Sequence, residues 1–241
     1  MNLVIDIGNT LTKGAIFRDD EMVDKISMEV FNTGRLEDII KKYPGFNKAI
    51  LSTVKERDPA LISSLKQHVD SFIELGRDTP LPVKNVYETP ETLGYDRLAA
   101  AVGANTIFPG SNVLIIDIGS AITFDFIDRE NNYRGGNISP GMQMRFRALN
   151  EHTSNLPLVK PAVQDRGIGK NTTEAIRKGV QNGIIYEIDG FIDQMKSVHE
   201  DLKIMVTGGD SNFFDNSLKN SIFVDLNLIL KGLNRILEYN A

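Results

Sequence analysis

Two stretches of the chain place an acid, a glycine and a hydroxyl at the end of an apolar run. Asp6-Ile7-Gly8-Asn9-Thr10-Leu11-Thr12-Lys13 follows Leu3-Val4-Ile5, and Asp117-Ile118-Gly119-Ser120-Ala121-Ile122-Thr123 follows Leu114-Ile115-Ile116. A buried strand that delivers such groups at its carboxyl end is a common way for α/β proteins to build a phosphate site, because ligands gather where strands stop. In the first copy Gly8 permits close backbone approach, Asn9 and Thr10 offer donors at a tight turn, and Lys13 adds a positive charge, a set suited to a triphosphate. Asp6 by itself would repel phosphate, so a bridging Mg²⁺ is implied if this loop binds ATP. In the second copy Ser120 offers a donor to phosphate and Asp117 a ligand for a cation. A hairpin turn that merely favours Gly, Asn and Thr would explain one copy equally well. The return of both the acid and the hydroxyl shifts the balance toward a nucleotide site.

Other constellations are less specific. Leu93-Gly94-Tyr95-Asp96-Arg97 sits where a proline-rich stretch meets an expected helix. An Asp there is stabilised as the anion by the helix N-terminus, and a capping Asp beside a surface Arg accounts for the spacing on its own. Thr207-Gly208-Gly209-Asp210, Gly135-Gly136 and Ser139-Pro140-Gly141 allow either a close backbone approach to a ligand or a simple bend. Gly169-Lys170-Asn171 has neither the first glycine nor the final hydroxyl of a P-loop. The protein-kinase signatures and the Gly-x-Ser-x-Gly elbow of hydrolases are absent.

The elements that must position these residues follow from periodicity. After the first strand, Lys13 to Arg18 and Met22 to Met28 are expected strands around the turn at Asp19-Asp20; after the second copy, Thr123 to Ile127 and Tyr133 to Ile138 repeat the order. Helices are expected at 36–43, 59–69, 96–108, 141–153, 172–200 and 226–239, and strands at 48–54, 72–75 and 203–207. Asn171 followed by Glu174 has the capping-box layout for the long helix. That helix carries Ile176, Val180, Ile184, Ile188 and Ile192 on one face, suited to a dimer or to the core. The halves match in order, so two domains are expected, 1–108 and 109–241.

At 241 residues the chain can bury a substantial core, and 41% hydrophobic with 24% charged residues is ordinary globular composition. A formal charge of −5, with no basic cluster interleaved with aromatics, argues against nucleic acid as a partner. The chain has no Cys, which excludes disulfides and thiolate chemistry and fits a reducing cytoplasm. His68, His152 and His199 are too dispersed to suggest a metal site and are read as surface or loop residues. No apolar run approaches the roughly 20 residues that span a bilayer, and Met1-Asn2-Leu3 leads straight into a strand, so neither export nor a membrane is expected.

Taken in order, Asp6 to Thr10, Gly94 to Arg97, Asp117 to Thr123, Gly135-Gly136, Ser139 to Gly141, Gly169 to Thr172 and Thr207 to Gly209 resemble the type III pantothenate kinases, within the superfamily of sugar kinases, actin and the Hsp70 ATPase domain. The resemblance covers essentially the whole chain. It implies an α/β fold of two duplicated ribonuclease H-like (actin-like ATPase) domains, each a mixed β-sheet with flanking helices. It also implies ATP-dependent phosphorylation of pantothenate, the first step of coenzyme A biosynthesis, in a cytoplasmic homodimer. By resemblance the ATP loop falls on Asp6, Ile7, Gly8, Asn9, Thr10, Leu11, Thr12 and Lys13, with a further ATP contact at Ser120. The catalytic base falls on Asp96, and pantothenate contacts fall on Tyr87, Gly94, Tyr95, Asp96, Arg97 and Thr172, the last near a dimer interface. A monovalent cation, K⁺ or NH₄⁺, falls on Asp117, and Mg²⁺ on Asp6. Tyr95 stands where the family commonly has Ala, and Ser120 where it commonly has Thr. Another small-molecule kinase of the superfamily would share both Asp-Ile-Gly strands, and a nucleotide-dependent regulator without an acceptor is the non-enzymatic alternative.

Overall fold

The computed structural model describes residues 1–8, 10–56, 58–163 and 166–241. The chain forms two compact units, one of Met1–Gly110, Glu130–Arg134 and Asn227–Ala241, the other of Ser111–Arg129 and Gly135–Leu226.

The first unit contains β1 (Asn2–Ile7), β2 (Thr12–Arg18), β3 (Glu21–Met28), α1 (Thr33–Lys42), β4 (Lys48–Thr53), α2 (Pro59–His68), β5 (Ser71–Glu74), β6 (Lys84–Asn85) and α3 (Tyr95–Ile107). Its sheet runs β3-β2-β1-β4-β5, antiparallel from β1 through β2 to β3 and parallel from β1 through β4 to β5. Successive residues of a strand face opposite sides. Leu3, Ile5, Ile16, Ala49 and Leu51 therefore pack with Leu36 and Ile39 of α1 and Leu61 and Leu65 of α2, while Asn2, Val4 and Asp6 face the other way. Asp58 caps α2 ahead of Pro59, and Asn32 caps α1 through Arg35 N.

The second unit holds β7 (Val113–Ile118), β8 (Ala121–Ile127), most of β9 (Asn132–Pro140), α4 (Met142–Glu151), α5 (Thr172–Val198), β10 (Lys203–Thr207), α6 (Ser211–Phe214) and β11 (Phe223–Val224). Its strands lie in the order β9-β8-β7-β10-β11, with β7 antiparallel to β8 and parallel to β10. This is the order of the first sheet, element for element, so the repeated motif belongs to a repeated topology. The α5 stripe of Ile176, Val180, Ile184, Ile188 and Ile192 packs with Leu114, Ile116, Ile118, Phe124 and Val206, so it serves the core. Asn171 Oδ1 accepts from Glu174 N at 3.0 Å as the capping box requires, and the Glu174 carboxylate reaches back to accept from the Asn171 side-chain Nδ2 at 2.9 Å and from Lys170 N at 3.0 Å.

The last helix, α7 (Leu228–Asn240), packs in the first unit and not in the second half to which the sequence reading assigned it. It covers the face of the first sheet that carries Asn2: Asn2 Nδ2 donates to Asn234 Oδ1 at 2.8 Å, and Lys48 pairs with Glu238. It also crosses α3 very closely. A Cβ on Gly232 would lie 1.8 Å from Ala99 O, and one on Gly103 would lie 2.5 Å from Leu228 O. The pattern of α7 shows an amphipathic helix but not which sheet it covers. Gly232→Ala must push α7 away from α3 and is expected to destabilise the protein by about 1–3 kcal/mol in urea unfolding. An unchanged midpoint would contradict this packing.

Candidate active site

In the first unit the functional residues gather where β1, β4 and α3 end or begin. Asp6 is the next-to-last residue of β1, aligned with Lys13 on β2 and Ser52 on β4. Adjacent residues across paired strands share a face, so Lys13, Asp6 and Ser52 form one row on the side away from α1 and α2. Asp6 is 8% exposed, and its pKa is pushed up to about 6, chiefly by burial. Ser52 and Lys13 pull it down, while the negative charge of Asp96 pushes it further up.

After Asp6 the chain turns tightly, with Gly8 N donating to Leu11 O at 3.2 Å. Ile7 O accepts from Val54 N, so Ile7 belongs to the sheet edge. Thr10 is exposed, and Leu11 and Lys13 are half-buried. Thr12, which the resemblance places in the ATP loop, buries its side chain on the opposite face, beside Leu3, Ile5, Ile26 and Ile39. Asn9 lies outside the described residues.

Gly94 is the N-cap residue of α3, so Asp96 sits one residue inside the first turn and does not itself cap the helix. Asp96 Oδ1 accepts from Arg97 N at 2.8 Å. A Cβ on Gly94 would fall 2.4 Å from that same oxygen, so this carboxylate position requires glycine there. Arg97 is 7% exposed and therefore not the surface residue that its position at a helix start suggests. Its guanidinium lies 5.9 Å from the ring centre of Tyr87, which is tilted against Tyr133. Tyr87 is held by its backbone, its N donating to Asn85 Oδ1 at 3.0 Å. Tyr95 lines a cavity of about 210 Å³ with Leu75, Arg77, Val83, Asn85, Pro90 and Leu98. The first unit thus brings together Asp6, Lys13, Asp96, Arg97 and the Gly94 turn, with Tyr87 stacked on Arg97.

In the second unit, three glycine turns close around the end of β7. Gly119 N donates to Ala121 O at 3.0 Å, holding the turn that exposes Ser120. A Cβ on Gly141 would lie 2.3 Å from Gly119 O and 2.4 Å from Ser120 O. A Cβ on Gly208, whose φ is +100°, would lie 2.4 Å from Ile118 O and 2.5 Å from Asp117 Oδ1. Two of the three glycine motifs that the sequence leaves open, those of Gly141 and Gly208, therefore pack closely on the Asp117 turn. Gly136 instead packs on Phe124 O of the neighbouring strand. Arg145 fixes the Ser139-Pro140 turn by donating to Pro140 O at 2.7 Å and Ser139 Oγ at 2.8 Å, and it pairs with Glu187. Half-buried Asp210 has its pKa raised by burial. Thr172 is exposed at the first turn of α5.

Among the described residues no cluster of three or more His, Asp or Glu could enclose a metal by itself. The donor chemistry suits cations that share their ligands with phosphate or backbone. Asp6 is a desolvated acid, and Asp117 Oδ1 stands with the Ile118 carbonyl beside Gly208. Sequence reasoning missed Ser52, whose alignment with Asp6 emerges only from the β1–β4 register.

Two parallel-and-antiparallel sheets of identical strand order, each with an Asp-Ile-Gly turn at its first strand, define the fold shared with actin-like sugar kinases. The profile of the type III pantothenate kinase family matches residues 2–194, and this chain belongs to that family. It is 48% identical to a type III pantothenate kinase of Bacteroides fragilis over 240 residues, covering 100% of this chain and 98% of the relative. Among solved structures it is similar to a Campylobacter jejuni protein assigned to the Baf family of transcriptional activators, with TM-score 0.61, 23% identity and coverage of 99% and 98%. It is also similar to a Listeria monocytogenes protein assigned as an N-acetylmannosamine kinase, with TM-score 0.57, 12% identity and coverage of 100% and 99%. At these identities the two structures establish the fold alone.

Burial of Asp6 has a consequence for stability. Its carboxyl titrates near 6 in the folded chain against 3.8 as its ordinary value, so between these values the folded state holds the extra proton. The contribution of this group to stability is therefore greatest at low pH and falls as pH rises from about 4 to about 6. Metal-free Asp6→Asn is expected to be more stable than wild type at pH 7.5, on the order of 2 kcal/mol, with the gap closing below pH 4. Thermal melts across that range check the sign; a less stable variant at pH 7.5 would contradict it.

Proposed function

We propose that this chain transfers the γ-phosphoryl group of ATP to the primary hydroxyl of pantothenate, giving 4′-phosphopantothenate, and that Asp96 is the general base. The observation that carries the assignment of the base is the Gly94–Asp96 geometry. One carboxylate oxygen is held by Arg97 N at 2.8 Å, and the other makes no hydrogen bond among the described residues. A carboxylate anchored at one oxygen offers the second at a fixed place to a hydroxyl proton. A carboxylate is a weak base, but phosphoryl transfer passes through a loose transition state in which the proton leaves late, so position counts for more than basicity.

Arg97 supplies the complementary charge. Buried and stacked on Tyr87, its guanidinium is preorganised for an anion, which in pantothenate is the carboxylate at the end opposite the reacting hydroxyl. Asp6 to Lys13 receives the ATP phosphates through the Gly8 turn and Lys13. Mg²⁺ held by Asp6 together with phosphate oxygens would neutralise charge that the acid otherwise repels. In the second unit Ser120 donates to ATP, and Asp117 with the Ile118 carbonyl beside Gly208 holds K⁺ or NH₄⁺. Ser keeps the hydroxyl of the commoner Thr at 120, and Tyr95 adds a ring to the acceptor loop.

The active form is a homodimer in the cytoplasm. Supporting the dimer, the outer face of α5 leaves open space at Gly179, Gly183 and Gly190 and exposes Tyr186, while its apolar stripe is already used in the core. Supporting the compartment, the sequence is free of Cys, and among the described residues no helix is long and apolar enough to cross a membrane.

Asp96→Asn keeps the size of the side chain and removes its charge. Its expected phenotype is a fall in 4′-phosphopantothenate formation of at least a hundredfold, with ATP affinity by calorimetry within about threefold of wild type. Near-normal turnover would remove Asp96 from the role of base.

A further inference from the structure

One polar side chain in the first unit is explained neither by the phosphate loop nor by the acceptor residues. Ser52 ends the run Ala49-Ile50-Leu51 on β4 and stands beside Asp6 in the parallel register of β1 and β4. It is 1% exposed, its Oγ is sealed from solvent, and among the described residues it has no partner at full hydrogen-bond geometry. A buried hydroxyl without a partner is destabilising, and an apolar residue would continue the strand without that cost. Yet the hydroxyl lies close enough to Asp6 to oppose the effect of burial on the acid. Proximity without completed geometry describes a donor that a small rotation brings onto the carboxylate.

The row Lys13, Asp6, Ser52 spans β2, β1 and β4, so the acid is flanked by an ammonium on one side and a hydroxyl on the other. Without the hydroxyl, the carboxylate is drawn only toward Lys13, a pairing that would spend its charge on the protein. We infer that Ser52 is a positioning residue for Asp6: its Oγ–H donates to one carboxylate oxygen and fixes the orientation in which the other oxygen meets the divalent cation accompanying the phosphates. This rests on the reading of Asp6 to Lys13 as the ATP loop. The role requires a hydroxyl and tolerates a methyl, so Thr serves where Ala does not.

The test is Mn²⁺ binding by electron paramagnetic resonance in the presence of ADP, using the full chain as wild type, Ser52→Ala, Ser52→Thr, Asp6→Asn and the Asp6→Asn/Ser52→Ala double variant. Ser52→Ala is expected to weaken Mn²⁺ about tenfold, the scale of one hydrogen bond to a charged group, and Ser52→Thr to stay within about threefold of wild type. The double variant should be no weaker than Asp6→Asn alone, because Ser52 acts only through Asp6. In turnover, Ser52→Ala should need about tenfold more Mg²⁺ for half-maximal rate while the KM for pantothenate is unchanged. Ser52→Cys, a near-isostere with a weak donor, carries the same comparison if Ser52→Ala loses its thermal transition. Wild-type Mn²⁺ affinity in Ser52→Ala, or a double variant weaker than Asp6→Asn by the full Ser52→Ala effect, overturns the inference. Failure of wild type to bind Mn²⁺ with ADP overturns the ATP-loop reading and this inference together. Normal Mn²⁺ binding without phosphopantothenate formation refutes the acceptor and leaves this inference standing.

Discussion

The first unit is organised around a carboxylate in an unfavourable place. Asp6 is 8% exposed at the end of an apolar strand, and Asp96 repels it. Burial and a like charge both oppose ionisation, and a structure under pressure only for stability would replace such an acid. The divalent cation proposed there would favour the desolvated anion and screen the repulsion between the two acids. The cost of the buried acid is offset by the apolar core of the first sheet.

The position of Asp96 depends on parts remote in sequence. The helix whose first turn carries Asp96 is seated by α7, from the end of the chain, through the Gly103 and Gly232 crossing. The turn before it must lack a side chain, because a Cβ at Gly94 would meet the carboxylate oxygen. In the second unit the same device recurs: Gly141 and Gly208 admit neighbouring turns to the end of β7, where a carboxylate and several carbonyls stand together. Gly94, Gly141 and Gly208 thus let the chain pack closely upon oxygens of the candidate site.

Much of this was legible in sequence because it is local. The duplicated Asp-Ile-Gly strands, the hairpins after them, the Asn171 cap and the long α5 helix each follow from periodicity and short-range chemistry, and the structure has them. What was not legible is pairing. That α7 belongs with α3, that Arg97 is buried on Tyr87, and that Thr12 turns inward while Ser52 lies beside Asp6 all depend on register and on contacts between distant segments. The α5 isoleucines illustrate the limit: their spacing marks an apolar face, and only packing shows that the core takes it.

The central claim is that these oxygens and cations serve one reaction, phosphorylation of pantothenate by ATP. It is tested most directly by mass-resolved detection of product from the purified chain with ATP, Mg²⁺ and an equimolar mixture of pantothenate and hexose or amino-sugar acceptors, with K⁺ present or replaced by Na⁺. The account predicts 4′-phosphopantothenate as the dominant product and a marked loss of it without K⁺ or NH₄⁺. Phosphorylation of a sugar in preference to pantothenate, or ATP consumed with no phosphorylated acceptor, would contradict it.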